Sequence, residues 1–188
     1  MDRAEIKKLV LASLLVALGF VLPFFTGQIP QVGNLLLPMH IPVFLCGLIC
    51  GWKYGLGVGA VLPLLRSVVL GMPPMFPNAV AMAAELAAYG AVAGYLYGRS
   101  KKQSVSAVYV SMLSAMLIGR AVWGIVEFVL LGLDGSAFSW QMFAAGAFVN
   151  AVPGIIIQLI LVPMIMAMLD RTGLVPFRTA RISGDADV

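Results

Sequence analysis

Four charged side chains lie inside the apolar stretches of this chain. They are Arg66, Glu85, Arg120 and Glu127. A charge in hydrocarbon costs about 3 kcal/mol even on the lower of the published scales, so such residues usually pair with each other or line a functional path. Two positive and two negative charges therefore predict ion pairs. Similar depth from the predicted outer surface favours a pair between Arg66 and Glu85 beside a ligand.

Helical spacing gives these charges polar and aromatic neighbours. Steps of four, three and four residues form one face, which holds Asn78, Met82, Glu85 and Tyr89. Steps of three and four form a second face, which holds Arg120, Trp123 and Glu127. Residues at such steps share one side of a helix. Asn150 and Gln158 are only roughly aligned on a third segment, where Pro153 is expected to loosen the helix.

Together these faces predict a polar cavity that opens outward and has aromatic and methionine walls. A few convergent polar groups in such a pocket suit a small, water-soluble molecule. The predicted substrate-binding residues are Gln31, Asn34, His40, Arg66, Met75, Glu85, Tyr89, Arg120, Trp123, Glu127 and Asn150. One alternative is that the charges form structural ion pairs without a ligand. His40 lies beside two prolines, and it is equally well interpreted as a structural hydrogen-bonding residue.

Enzymatic chemistry has little support in the sequence. There is no serine–histidine–aspartate grouping, no paired histidine at metal spacing and no glycine loop before a Lys-Ser/Thr pair. The two cysteines, Cys46 and Cys50, lack nearby histidine or aspartate that would complete a metal site. We therefore predict no catalytic residues, no metal and no cofactor. The basic residues occur at segment ends and not as an aromatic-interleaved stripe, which argues against nucleic acid as a partner.

The elements that carry these residues are membrane helices. Of the 188 residues, 61% are hydrophobic and 11% charged, whereas roughly a quarter of a soluble domain is charged. We predict an all-α integral membrane protein with a bundle of six transmembrane helices, because hydrocarbon about 30 Å thick needs roughly 20 apolar residues per helix. The predicted spans are Leu9–Phe25, Leu36–Cys50, Tyr54–Leu70, Ala79–Tyr97, Val105–Leu131 and Phe143–Leu169.

Basic residues in the connections predict the orientation. Ten lysines and arginines lie at the termini and in every second connection, whereas the connections 26–35, 71–78 and 132–142 contain none. This distribution predicts that both termini are cytoplasmic. We interpret residues 1–172 as one transmembrane substrate-binding domain and residues 173–188 as a flexible cytoplasmic tail. The charged start of the chain is interpreted as part of a retained first helix and not as a cleaved signal peptide.

Small residues recur at four-residue intervals in three spans, which lets helix backbones approach closely. The ladders are Ser13 and Ala17, then Gly90, Gly94 and Gly98, then Ser111, Ala115 and Gly119. Packing inside the bundle is the simpler interpretation of such a ladder. Ser13 and Ala17 are the best candidates for a seam that docks another membrane subunit, because the rest of their span is bulky and apolar.

The order of several motifs resembles the substrate-binding subunits, or S components, of energy-coupling factor vitamin transporters. The motifs are Ser13/Ala17 in the first span, "LPMHIPV" before the second, "GLICGWKYGLGVG" at the next turn, "GMPPMFP", and "ELAAYGAVAGYLYG" in the fourth span. The family pattern in the first helix is Ala-xxx-Ala, and Ser13 replaces the first alanine. The resemblance covers essentially the whole chain.

The resemblance implies a protein of the prokaryotic plasma membrane that binds a vitamin or vitamin precursor at its outer face, under a lid formed by the first outer loop. It also implies association within the lipid bilayer with a transmembrane coupling subunit and two cytosolic ATPase subunits. An acid such as pantothenate is slightly favoured, with pyridoxine and hydroxymethylpyrimidine next. Two other hypotheses stay open from the residues: a membrane scaffold similar to rod-shape proteins, and a secondary transporter that works alone.

Overall fold

The computed structural model describes residues 2–26, 37–133 and 151–177, which form a bundle of α-helices. Helix α1, Arg3–Val21, continues into a 3-10 turn, Leu22–Thr26. Helices α2, His40–Cys50, and α3, Trp52–Leu70, form a hairpin around Gly51. A π-helical turn, Met75–Ala79, leads into α4, Val80–Arg99, and the last helices are α5, Val105–Leu133, and α6, Val152–Arg171. Within the described ranges, five of these helices are long and apolar enough to cross a membrane.

Helix α2 differs from the predicted second span because it is only half as long as a membrane crossing. The prediction placed a span at Leu36–Cys50, whereas the helix begins at His40 and has 11 residues. At 1.5 Å per residue it is about 17 Å long. Nearly all of its side chains are buried, so it lies among the other helices. The described helix is thus four residues shorter than the predicted second span, and the count of six spans stays a prediction.

Glycines bring α2, α3 and α4 into backbone contact. A Cβ atom added to Gly55 or to Gly90 would collide with backbone atoms of the other residue, and one added to Gly47 would collide with the carbonyl of Gly90. Gly94 meets the backbone of Trp52 and the carbonyl of Gly47 in the same way. The ladder of Gly90 and Gly94 is therefore used for packing inside the bundle, whereas a Cβ atom on Gly98 would meet nothing within 4 Å.

Helix α1 packs along α2 and α3 and leaves its other side exposed. Only Ala12, Leu15 and Gly19 of this helix are buried. Gly19 fits against the fully buried Leu62 of α3, because a Cβ atom there would collide with the methyl groups of Leu62. One glycine thus fixes where the last turns of α1 lie on α3.

Helix α6 differs from the predicted sixth span at both ends. The helix begins at Val152, so Pro153 lies in its first turn and does not interrupt it; predicted residues 143–150 lie outside the described ranges. After Arg171 the chain folds back, and the Phe177 amide donates to the Asp170 carboxylate at 2.8 Å. Phe177 also packs against the core. Residues 173–177 therefore lie against the helix end, and the rest of the tail predicted from residue 173 lies outside the described ranges.

Candidate functional site

A buried ion pair joins α4 and α5 near the middle of the bundle. Arg120 Nη1 lies 3.0 Å from Glu85 Oε1, and the side chains are only 11% and 3% exposed. The Tyr89 hydroxyl donates to the same carboxylate oxygen at 2.8 Å. Tyr89 is four residues after Glu85, so both lie on the same face of α4. Two donors from two helices thus hold the Glu85 carboxylate in place.

The ring of Tyr89 is fixed by aromatic side chains from α2. Phe44 stacks on it with a centroid distance of 5.2 Å and an interplanar angle of 18°. The His40 ring lies 5.4 Å from it at an angle of 55°. Offset and tilted ring pairs of this kind are favourable beyond their burial. The start of α2 therefore positions Tyr89, and through its hydroxyl group it also positions Glu85.

Gly119 allows α5 to approach α4 at this point. A Cβ atom on Gly119 would collide with the ring of Tyr89 and would lie 3.2 Å from the carbonyl oxygen of Glu85. Ser111 and Ala115, two turns and one turn earlier, are also buried. The ladder in α5 thus packs inside the bundle, and its last member brings the neighbouring Arg120 within reach of Glu85.

Several buried polar atoms have no hydrogen-bond partner within the described residues, and two of them, Nε and Nη2 of Arg120, belong to the ion pair itself. The others are Nδ1 and Nε2 of His40, whose ring contacts Tyr89, Nε of Arg66, Oε2 of Glu127 and Nε2 of Gln158. Buried polar groups in folded proteins are nearly always hydrogen-bonded, so a cluster of unpaired ones needs an explanation. A polar ligand would supply these partners.

The expected pair between Arg66 and Glu85 is wrong. Arg66 is buried in α3, but its Nη1 donates to the carbonyl oxygen of Phe20 at 3.2 Å. Phe20 lies in the last turn of α1, where carbonyl groups lack partners in the helix. The depth of Arg66 was estimated only from its distance to a helix end, and that estimate did not reveal that the end of α1 lies closer than Glu85.

The other predicted residues occupy three kinds of position. Trp123 and Glu127 follow Arg120 on the same face of α5 and are partly buried. Met75 lies in the π-helical turn before α4 and is 42% exposed. Gln31, Asn34 and Asn150 lie outside the described residues. Ser13 and Ala17, the predicted docking pair, are both exposed on α1, and the Ser13 hydroxyl donates to the Leu9 carbonyl of its own helix.

Two buried residues, Phe44 and Gln158, were not included in the substrate-binding residues predicted from the sequence. Phe44 supports Tyr89, but a phenylalanine in an apolar helix carries no signal that distinguishes it from ordinary core. Gln158, recognised as polar but left out of the predicted site, is 1% exposed on the inward face of α6. An amide eight residues after Asn150 in an otherwise apolar segment was the available signal.

The described residues define a helical membrane protein with a buried ion pair and a tyrosine that donates to it. The chain matches the family model "ECF transporter, substrate-specific component" over residues 7–166, and it belongs to that family. The energy-coupling factor resemblance noted from the motifs is thereby confirmed. A search of curated proteins and a search of solved structures each found no match. As a member, the protein is a substrate-specific membrane subunit of a transporter.

Proposed function

We propose that this protein captures a water-soluble vitamin or vitamin precursor on the outer side of the plasma membrane of a prokaryote. The ligand binds beside the Glu85–Arg120 pair, above the start of α2. A transmembrane coupling subunit and two cytosolic ATPase subunits then drive its delivery to the cytoplasm. The single observation that carries the binding role is the cluster of buried, unpaired polar atoms around an ion pair that is already fixed by Tyr89.

The geometry supports binding better than a purely structural role for the ion pair. A buried pair adds little net stability, because the cost of removing two charges from water offsets their attraction. Here two nitrogens of Arg120 also lack a partner among residues 2–26, 37–133 and 151–177, which adds a further cost. Membership in a transporter family and these unpaired groups both favour a substrate site over a scaffold.

The exposed side of α1 is the proposed docking face for the coupling subunit. Ser13 and Ala17 are exposed and small, and they lie among exposed bulky residues such as Leu14 and Leu18. Small residues four apart let a second helix approach closely, and van der Waals packing then stabilises the pair within lipid. Because α1 contacts α2 and α3, a helix that docks on it lies two helices away from the Glu85–Arg120 pair.

Uptake into vesicles tests the coupled function. The protein is reconstituted alone, or together with a coupling subunit and two ATPase subunits of an energy-coupling factor transporter, and uptake of labelled pantothenate, pyridoxine and hydroxymethylpyrimidine is measured. Uptake of one of them that requires both the partners and ATP supports the proposal. ATP-independent uptake by the protein alone would contradict it and would indicate a secondary transporter. As a control, the same partners without this protein should give no uptake.

A further inference from the structure

Helix α2 begins inside the bundle, beside the ion pair. Its first residue, His40, contacts Tyr89, which is nine residues after the start of α4 and therefore about 14 Å along that helix. The start of a helix carries a partial positive charge, which favours a negatively charged ligand group. At this helix start the His40 amide donates to the Leu37 carbonyl and Pro42 has no N–H, so the charge and not a set of free amides is what the helix offers. His40 is 1% exposed, and neither of its ring nitrogens has a partner within the described residues.

Arg120 lies next to this helix start, because it pairs with Glu85, which accepts a hydrogen bond from Tyr89. Its Nη1 contacts Glu85, whereas Nε and Nη2 are buried and have no partner in the part of the chain that the structure describes. Nε and Nη2 form one side of the planar group, and their two parallel N–H bonds match the two oxygens of a carboxylate. Glu85 and Tyr89 therefore hold Arg120 so that the edge best suited to a carboxylate remains unused.

A second buried polar group lies further along α5. Glu127 is seven residues after Arg120 on the same face, which corresponds to about 10 Å along the helix. Its Oε2 is buried and lacks a hydrogen-bond partner within the described residues. A carboxylate oxygen accepts hydrogen bonds, so this position suits a hydroxyl or an amine of the ligand.

We infer that the ligand is an elongated acid, with its carboxylate bound by the Nε–Nη2 edge of Arg120 and by His40 at the start of α2, and with a hydroxyl or amine group bound by Glu127. This inference rests on the proposed function, because it concerns the same pocket. Among the vitamins considered, it selects pantothenate, a hydroxy acid, over pyridoxine and hydroxymethylpyrimidine, which have no carboxylate.

Matched ligand pairs test the inference on the unmodified protein. Dissociation constants are measured in detergent for pantothenate and panthenol, whose only difference is an alcohol in place of the acid, and for nicotinate and nicotinamide. Pyridoxine and hydroxymethylpyrimidine are included. We expect pantothenate to bind most tightly, and roughly 100-fold more tightly than panthenol, since two charge-assisted bonds are worth about 3 kcal/mol together.

The outcomes separate this inference from the proposed function. Panthenol binding as tightly as pantothenate, or tight binding of pyridoxine or hydroxymethylpyrimidine alone, would overturn the inference and leave the proposed function intact. Binding of none of the six compounds would overturn the inference, and the proposed function would fail with it only if a wider panel of vitamins also gave no binding.

A double variant locates the acid-binding group without leaving an unpaired charge. Glu85→Gln/Arg120→Gln replaces the ion pair by two amides, and we expect pantothenate affinity to fall about 100-fold and the preference for pantothenate over panthenol to be lost. Arg99→Gln is the matched control, because Arg99 is exposed and donates to Tyr95 at the opposite end of α4. An unchanged preference for the acid in the double variant would overturn the assignment to Arg120.

Glu127→Gln is a second test in which the ion pair stays whole, and retained pantothenate affinity there would overturn the role of Glu127.

Discussion

At the scale of single residues, the glycine beside Arg120 decides whether the ion pair forms. We predict that Gly119→Ala weakens substrate binding at least tenfold and lowers the thermal unfolding midpoint. The added methyl group would collide with the Tyr89 ring, and that ring has little room to move because Phe44 and His40 lie against it. The measurement is ligand titration and thermal unfolding of the purified variant.

Gly132 supplies the matched control for this variant. It lies in the same helix, and a Cβ atom there would meet nothing within 4 Å. Gly132→Ala should leave binding unchanged and should not lower stability, because alanine is favoured over glycine in a helix by up to about 1 kcal/mol. Equal effects of the two substitutions would show that close approach at Gly119 is not what matters.

Arg66 is a second residue with a testable role. We predict that Arg66→Ala lowers the unfolding free energy by about 2 kcal/mol, since it removes a hydrogen bond from a charged group, while substrate affinity changes by less than about threefold. The bond joins α3 to the last turn of α1, not to Glu85. Thermal unfolding and ligand titration check both parts, with Leu65→Ala on the exposed side of α3 as a control. A large loss of affinity would return Arg66 to the substrate site.

The sequence identified the charged residues of the candidate site but not which of them contact each other. Charges in apolar segments identified Glu85, Arg120 and Glu127, and a helical step of four aligned Tyr89 with Glu85. The choice of Arg120 over Arg66 as the partner of Glu85 was not predictable, because α5 has 29 residues and its offset along α4 depends on tertiary packing. The role of His40 depended on where α2 begins, and the prolines on either side of His40 made that boundary hard to predict.

At the scale of helices, the contact between glycines of α2, α3 and α4 forms the centre of the bundle. We predict that Gly90→Ala strongly destabilises the protein, because the new methyl group would collide with the backbone of Gly55 and neither helix can yield locally. Gly98→Ala, two turns later in the same helix and with nothing within 4 Å, should be tolerated. Thermal unfolding of both variants in detergent tests this. Similar midpoints would contradict the packing described here.

The docking face on α1 yields a prediction for assembly. Ala17→Trp should abolish co-purification with the coupling subunit, because a bulky side chain prevents close helix approach. Substrate affinity should stay unchanged, since Ala17 is exposed and remote from Glu85. Ile125→Trp on the exposed side of α5 is the control for a large aromatic residue in a lipid-facing position. Assembly that survives Ala17→Trp but fails with Ile125→Trp would place the docking face on α5.

At the scale of the whole molecule, the predicted orientation links the site to the side of the membrane from which a nutrient arrives. Ten basic residues lie at the termini and in the connections on one side, and the connections on the other side contain none. Both termini should therefore face the cytoplasm. Green fluorescent protein fused to either end should therefore fluoresce, and alkaline phosphatase fused at either end should be inactive. An active phosphatase at one terminus would contradict an even number of membrane crossings.

With that topology, the start of α2 would lie at the inner end of the proposed substrate site, which would open to the outside. Hydropathy located the apolar helices that the structure describes, and the charge distribution supplied only a prediction of their orientation. The short second segment was recognisable from the prolines near its start, but its burial was not, since an apolar segment looks the same whether lipid or protein surrounds it. Its depth is set by the glycine contacts with α3 and α4, which only the assembled helices reveal.

The most direct test of the central claim is to ask what the purified protein carries. The protein is expressed in a vitamin-replete host, purified in detergent and examined by native mass spectrometry, with extracted ligand identified by its fragment masses. We expect one vitamin or vitamin precursor per chain, and none with the Glu85→Gln/Arg120→Gln variant. A protein that is empty, and that no vitamin in a panel stabilises against thermal unfolding, would contradict the assignment of this cluster as a substrate site.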